Sequence, residues 1–301
     1  MKARGASRRL AAAWLLAECV AAGAACPPAG WDIDALERLR AADFRLPDAA
    51  RRAALAEGLI GCLSDRRPAL RDAVAYQALS TWMRDGQLTA DQLRSLRERL
   101  LEQLEADDPD GFGRPFAALA LAEVARVDRL TPYLGVEERA DLLVAASAYL
   151  RSVRDYRGFD AQQGWRDGVA HGAELLQQLA LNPALTREQL DVIVHAVGSQ
   201  VAPAGEHFFI YGEPDRLARP IHSVAERGLH DRDYWSRWLT ELAAPTQRAG
   251  AHAPETQAHL ARRHNTAAFV QSLYVGVQEN GTLTARERLL PALSVALRAL
   301  P

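Results

Sequence analysis

The sequence predicts an all-α protein: an α-solenoid of about five HEAT-like helix pairs with an N-terminal helical cap. First, apolar residues recur with the period of about 3.6 residues that is typical of helices, and alternation typical of strands is almost absent. Second, an Arg opens a small-residue-rich apolar stretch five times, at spacings of 43, 52, 53 and 44 residues. Repeats of roughly 40–50 residues are typical of stacked helix pairs. The five arginines are Arg71, Arg114, Arg166, Arg219 and Arg263.

The elements follow in chain order from this repeat. Two helices, at about 33–43 and 48–63, precede the first copy and form the cap. Each copy is then predicted to hold a first helix opened by its Arg, a turn and a second helix. In copies two and four the second helix is expected near 136–154 and 231–243. In the other copies it begins with a capping box, in which a Thr and the residue three positions later satisfy early backbone N–H groups. These pairs are Thr89 with Gln92, Thr186 with Gln189, and Thr284 with Glu287.

Three connectors interrupt the regular pattern. They are residues 156–165, which are rich in aromatic residues, residues 201–216, and the small and polar residues 245–255. Insertions in repeat proteins commonly gather on the binding face. The sequence therefore predicts a ligand groove at copies three to five.

The N-terminus has the pattern of an export signal. Basic residues precede a mostly apolar stretch, Leu10–Ala25, which ends in small residues and is shorter than a membrane span. We therefore expect a signal peptide over 1–25 and one helical repeat domain over 26–301, periplasmic or secreted, with no transmembrane span in the mature chain. The formal net charge of −2 gives no basic field for nucleic acid. The expected partner is a protein, a peptide, or a small molecule or glycan in the groove.

Two cysteines remain after the predicted signal. In an oxidising compartment Cys26 and Cys62 are expected to form a disulfide that connects the first helices. The alternative is lipidation of Cys26, which would anchor the protein to a membrane.

The third copy holds the first candidate site. The spacing places three side chains on one helix face: Asp167, His171 and Glu174. They could be part of the ligand set of a divalent metal, or they could form an acid–base pair with an orienting carboxylate. The neighbouring Gly168 and Gly172 predict that another element packs closely there. Because an Arg-Asp pair also opens the first copy, which lacks the His, a purely structural role remains open.

The second candidate follows the longer connector. Glu213 could pair with Glu174 or Asp167, as carboxylates do in glycoside hydrolysis. The alternative is a capped turn at a helix start. Further candidate groove residues are Trp165, Tyr211, Arg216, His264 and Asn265, whereas Asp155, Arg157 and Asp160 are expected to be solvated loop charges. Trp165 fits either core packing or a sugar platform.

Three blocks of the chain resemble an uncharacterised bacterial family labelled "domain of unknown function 2785". They are RDYRGFD…GWRDGVAHGAELLQQLALNP, YGEPDRLARP and RHNTAAFVQSLY, and the resemblance extends over most of residues 30–300. It implies an all-helical, armadillo-type or HEAT-like fold and no particular activity. The family pattern often reads Gly-Trp-x-His-x-x-Ala-His with an Asp after it. In this chain Asp167 occupies the position of the first His, and Glu174 occupies the position of that Asp.

Two functions are compatible with these patterns. The first is an exported binding or scaffold module whose groove at copies three to five holds a ligand of unknown identity. The alternative is a metal-dependent or acid–base hydrolase with His171, Glu174 and Glu213 as its catalytic residues. The paired acids suggest a carbohydrate substrate for such an enzyme.

Overall fold

The computed structural model describes residues 26–246 and 255–300, and within them the protein is all-α apart from one short hairpin. The first helices are α1 (Ile33–Ala41), α2 (Ala49–Leu59), α3 (Pro68–Leu70), α4 (Gln77–Arg84), α5 (Ala90–Glu105), α6 (Gly113–Leu130) and α7 (Val136–Ser152). The remaining helices are α8 (Gly168–Ala180), α9 (Arg187–Val201), α10 (Glu213–Glu226), α11 (Arg232–Ala243), α12 (Gln257–Asn280) and α13 (Leu283–Ala299). The hairpin consists of β1 (Phe159–Asp160) and β2 (Gly164–Trp165).

Three shorter helical segments complete the described chain. A 3-10 turn, Gly61–Ser64, follows α2, and a second one, Ala244–Thr246, follows α11. Between α3 and α4, residues Arg71–Tyr76 form a π-helix, so that residues 68–84 are continuously helical.

The helices pack in chain order in two rows. α4 contacts α6, α6 contacts α8, α8 contacts α10, and α10 contacts α12. In the second row α7 contacts α9, and α11 contacts α13. The two rows also contact each other, through α5 with α6, α7 with α8, and α9 with α10. The chain therefore shares one interior along its length, and the predicted pairs correspond to α4/α5, α6/α7, α8/α9, α10/α11 and α12/α13.

Small residues allow the rows to approach. α6 contacts α4, α5 and α8, and it is buried on most of its surface. Its alanines, among them Ala117, Ala118 and Ala120, are fully buried. An alanine side chain fills little space and adds no rotamer entropy, so a helix rich in Ala can be enclosed by neighbours at low cost.

Local capping signals account for most helix starts. The capping boxes of Thr89 with Gln92 and of Thr186 with Gln189 are both present at the starts of α5 and α9. The third predicted box is wrong, because α13 is capped by Thr282, whose hydroxyl accepts a hydrogen bond from the Ala285 N–H at 3.3 Å. Thr284 lies instead inside the first turn of that helix.

The five motif arginines do not occupy one equivalent position. Arg71 begins the π-helix, Arg114 is the second residue of α6, and Arg166 lies two residues before α8. Arg219 and Arg263 lie inside α10 and α12, so the predicted helix starts of copies four and five are wrong. α10 begins at Glu213, with a proline in its first turn, and α12 begins after a Thr cap, so both helices start before the motif.

The N-terminal part is connected by the predicted disulfide. Cys26 and Cys62 are bonded, with their Cα atoms 5.0 Å apart, and this joins the chain before α1 to the turn after α2. The disulfide engages the same Cys26 sulfur that a lipid would modify. The predicted signal peptide, 1–25, and most of the third connector lie outside the described residues. In the described ranges, no helix has the length and apolar character to cross a membrane.

Candidate functional site

Two connectors that are about 50 residues apart in sequence meet beside α8 and α10. The first runs from Arg154 to Arg166 and contains the hairpin, and the second runs from 202 to 212. Between them lies an open cavity of about 660 Å³, which we call the connector cleft. Its lining residues are Arg154, Asp155, Tyr156, Arg157, Gly158, Phe159, Asp160, Gln163, Arg166, His207, Ile210 and Tyr211.

The hairpin shapes the first wall of the cleft. β1 and β2 are antiparallel, with Phe159 opposite Trp165. In the turn between them, the Asp160 carboxylate accepts hydrogen bonds from the backbone N–H groups of Gln162 and Gln163, at 2.8 and 2.7 Å. These hydrogen bonds hold the pKa of Asp160 below its usual value. Asp160 is exposed, as expected of a solvated loop charge, and its carboxylate also closes the turn.

The second connector is held by residues of α12. The amide oxygen of Asn265 accepts from the Phe209 N–H at 2.8 Å, and the amide nitrogen donates to the His207 carbonyl at 3.0 Å. His264 places Nε2 at 3.3 Å from the Phe209 carbonyl. Asn265 is only 1% exposed. The two residues predicted to line the groove therefore position the connector from behind.

Aromatic side chains form the rim of the cleft: Phe159 and Tyr211 line it, and Trp165 lies outside the lining and packs against both rings. Phe159 is 50% exposed, Trp165 39% and Tyr211 40%. Ring centroids are 5.1 Å apart for Phe159 and Trp165, and 5.8 Å apart for Trp165 and Tyr211, which meet edge to face. The predicted pair Trp165 and Tyr211 is thus brought together, and Phe159 joins it. The density of aromatic residues in 156–165 was a sequence signal for Phe159.

Tyr211 lies directly against the backbone of the first connector. A Cβ atom added at Gly158 would be 2.1 to 2.6 Å from three atoms of the Tyr211 ring. Real side chains do not approach so closely, so only glycine at this position allows the two connectors to meet.

Charged side chains line the interior of the cleft. Arg157 and Asp155 form a salt bridge of 2.5 Å. Burial opposes ionisation of Asp155, but the hydrogen bonds from Arg157 outweigh it, so the pKa of Asp155 is lowered. Among the described residues neither Arg154 nor Arg166 is in a salt bridge: Arg154 donates to backbone carbonyls, and Arg166 donates to the Asp110 carbonyl and the Gln163 amide oxygen.

Two of the motif arginines, Arg71 and Arg166, donate hydrogen bonds to Gln163 in the turn of the hairpin. The ring of Phe112 is buried between the guanidinium groups of Arg71 and Arg166, at 4.0 and 4.3 Å from its centroid. Arg71 also donates to the Gln163 carbonyl at 2.8 Å. Desolvation lowers the pKa of Arg71, although its salt bridge with Asp72 opposes the shift. The arginines of copies one and three therefore act on the same hairpin.

Asp167 does not lie on the helix face on which the sequence places it. It precedes α8 in the left-handed conformation, with φ of 53°, and its side chain makes no capping hydrogen bond. Burial raises the pKa of its carboxyl group to about 6, with Glu213 and Asp72 adding to the shift and Arg216 opposing it. A non-glycine residue in this conformation is strained and is often found at functional sites.

His171 is a buried, neutral side chain. Its Nδ1 lies 3.2 Å from the Pro115 carbonyl, which can only accept, so Nδ1 carries the proton. Desolvation is the main cause that lowers the pKa of His171 to about 3. A general base works best with a pKa near the working pH, and His171 is far below it.

Arg216 connects α10 to α8. Its Nη2 is 3.8 Å from Glu174 Oε2. Glu213 is buried, and its carboxylate accepts from the Tyr211 N–H at 2.8 Å, which fixes the end of the second connector. In the ranges that the structure describes, no three His, Cys, Asp or Glu side chains are grouped so as to hold a metal ion, so Asp167, His171 and Glu174 are not assembled as a ligand set.

The glycines of the third copy have the packing role expected of them. A Cβ at Gly172 would be 3.0 Å from Tyr149 and 3.1 Å from Leu150 of α7, and one at Gly168 would be 3.4 Å from Val153. α7 therefore packs closely against the start of α8.

Comparison with known proteins gives one match. The family model described as "Protein of unknown function (DUF2785)" matches residues 100–275, which is more than half of the chain and includes both connectors. No curated protein and no solved structure matches the chain.

Proposed function

Since the chain belongs to the DUF2785 family, whose function is unknown, we propose from its geometry that it is an exported binding module with the connector cleft as its ligand site. One observation carries the proposal: two distant connectors are held together so that the exposed rings of Phe159 and Tyr211 line an open cavity of about 660 Å³, with Trp165 packed against both rings. Ligand sites are typically concave, with apolar and aromatic walls and a few placed polar groups.

The construction of the cleft supports binding. Gly158 and Asn265 hold the second connector against the first and against α12. This support leaves Trp165 and Tyr211 partly exposed, although burial of both rings would be favourable. Exposed aromatic side chains on a rigid support are available to a ligand at low entropic cost.

The disulfide supports the exported location. Disulfides persist in oxidising compartments and are rare in the reducing cytosol. The bond between Cys26 and Cys62 is therefore consistent with a protein that works outside the cytoplasm.

A ligand-stabilisation screen tests the proposal. Glycans, peptides and small metabolites are added to the full chain, and the melting temperature is compared with that of Trp165→Ala and Tyr211→Ala. A ligand of the cleft stabilises the wild type and not these variants. Trp31→Ala is the matched control, because Trp31 is partly exposed and lies under Arg51 at the N-terminal cap, away from the cleft lining. Stabilisation that all three variants retain would contradict the cleft as the site.

A second function is suggested by the position of Asp167, which is partly buried beside Glu213, and this burial raises the pKa of its carboxyl group to about 6. A carboxyl group with such a pKa can serve as a general acid near neutral pH. An acid–base hydrolase would then use Asp167 with the neighbouring Glu213. Release of reducing sugar from a panel of oligosaccharides, whose sugar leaving groups must be protonated, tests this, with Asp167→Asn as the inactive variant. Equal rates for the variant and the wild type would exclude Asp167 as the acid.

A further inference from the structure

We infer that the ligand of the connector cleft is an acidic oligosaccharide, with a sugar ring against Trp165 and Tyr211 and a carboxylate on Arg166 and Arg154. This inference rests on the proposed function and adds the chemical class of the ligand. Three observations support it: the aromatic rim, two arginines of the cleft that form no salt bridge with a described residue, and the small amount of aliphatic surface.

The aromatic rim fits a sugar ring. Pyranose rings present C–H groups on their faces, and these pack on aromatic rings, while the hydroxyl groups at the ring edge need polar partners. Tyr211 and Phe159 supply rings that line the cleft, and Trp165, packed against both, extends this aromatic surface beyond the lining. Asp160 and Gln163 line the same cavity and supply polar groups.

The charges in the cleft favour an anion. Three arginines and two aspartates line it. Arg157 and Asp155 neutralise each other in their salt bridge. Arg154 and Arg166 donate only to neutral oxygens, and the Asp160 carboxylate is engaged by backbone N–H groups of its turn.

The position of Arg166 makes its charge available to a ligand. The side chain is largely buried, where an unpaired guanidinium is costly. It nevertheless lines the cleft and also the adjoining cavity of about 190 Å³ next to Tyr149. The carboxylates of Asp110, Asp155 and Asp160 attract this guanidinium without forming a salt bridge with it. A carboxylate in the cleft would add a direct ion pair, in the planar, two-pronged geometry that Arg recognises.

The composition of the cleft favours a saccharide over an acidic peptide. A peptide is usually bound through pockets for apolar side chains or through an exposed strand edge. Ile210 is the one aliphatic side chain larger than alanine among the lining residues, and it is 69% exposed. Each strand of the hairpin is only two residues long, which offers little edge for pairing.

Isothermal titration calorimetry at low ionic strength tests the inference on the full chain. The probes are tetragalacturonate and tetramannuronate, their fully methyl-esterified forms, and a tetraglutamate peptide. The esters keep the sugar ring and remove the charge, whereas the peptide keeps the charge and removes the ring. We expect at least one uronate to bind, and its ester to bind about tenfold more weakly, because the ester cannot form the charged hydrogen bonds that the carboxylate makes with arginine.

Variants connect the binding to the cleft. Arg154→Gln, at an exposed position, should weaken uronate binding several-fold without affecting binding of the ester. Trp165→Ala should weaken both. Arg151→Gln is the matched control, because Arg151 is exposed, lies three residues before Arg154 and does not line the cleft. The affinity of this variant for the uronate should equal that of the wild type.

The outcomes separate this inference from the proposed function. Equal affinity for acid and ester, or equal affinity for tetraglutamate, would overturn the acidic saccharide. Absence of binding by both uronates would overturn it as well. If the screen described above still finds a ligand whose effect requires Trp165, the binding function stands with another ligand class. If the screen finds none that requires Trp165, the binding function fails too.

Discussion

Replacing Asp167 by Asn should stabilise the protein at neutral pH. Burial raises the pKa of the Asp167 carboxyl group from 3.8 to about 6, so ionisation of this group opposes folding. Each pKa unit corresponds to about 1.36 kcal/mol, and the shift of about two units gives an upper value of about 3 kcal/mol. Because the side chain is partly exposed, solvent screening reduces this to roughly 2 kcal/mol.

The sign follows from proton linkage. Between about pH 4 and pH 6 the folded state of the wild type binds more protons at Asp167 than the unfolded state does. The contribution of Asp167 to stability therefore falls as pH rises through this window and is constant above it. Asn has no charge to bury, has nearly the same shape, and tolerates the left-handed conformation that Asp167 adopts. The advantage of the variant should be small near pH 4 and largest above pH 6.

Urea unfolding at pH 4.5 and pH 7.5 measures the effect, with both transitions analysed as two-state. The control is Asp160→Asn, because backbone hydrogen bonds lower the pKa of Asp160. Its charge stabilises the fold at every pH above the usual value of 3.8, so this substitution should destabilise the protein about equally at pH 4.5 and pH 7.5. If Asp167→Asn is no more stable than the wild type at pH 7.5, or its advantage is the same at both values, the burial argument is wrong.

Three further substitutions test the framework of the cleft by urea unfolding. Gly158→Ala should cost about 1–3 kcal/mol through overpacking against Tyr211, and most of this cost should vanish in a Tyr211→Ala background; an equal cost there would contradict the contact. Asn265→Ala leaves two backbone groups of the second connector unpaired and should cost roughly 3 kcal/mol, with weaker ligand binding; unchanged stability would refute this. Cys62→Ser opens a disulfide across 36 residues and should cost about 4 kcal/mol, and a reductant should destabilise the wild type but not the variant.

The helical class and many helix limits follow from short-range signals. The capping boxes at Thr89 and Thr186 need only residues three positions apart, and both are present. The two cap helices and the helices near 136–154 and 231–243 lie within a few residues of their predicted places. Such features depend on hydrogen bonds and apolar periodicity inside one segment, so the order of residues is enough to predict them.

The same reasoning failed where a local motif could fit more than one place. The arginine motif marks a helix start in copy two but lies inside α10 and α12 in copies four and five. Signals further upstream mark those starts: a proline in the first turn of α10 and a Thr cap before α12.

The chemistry of the candidate site depends on contacts between distant segments. The order of residues identifies Trp165 and Tyr211 as candidates, but their meeting requires Gly158 to admit the tyrosine ring and Asn265 to hold the second connector. The raised pKa of Asp167 likewise results from burial between α8 and α10. Residue order along the chain specifies local hydrogen bonds and apolar faces, whereas desolvation and the separation of charges exist only once those faces have packed.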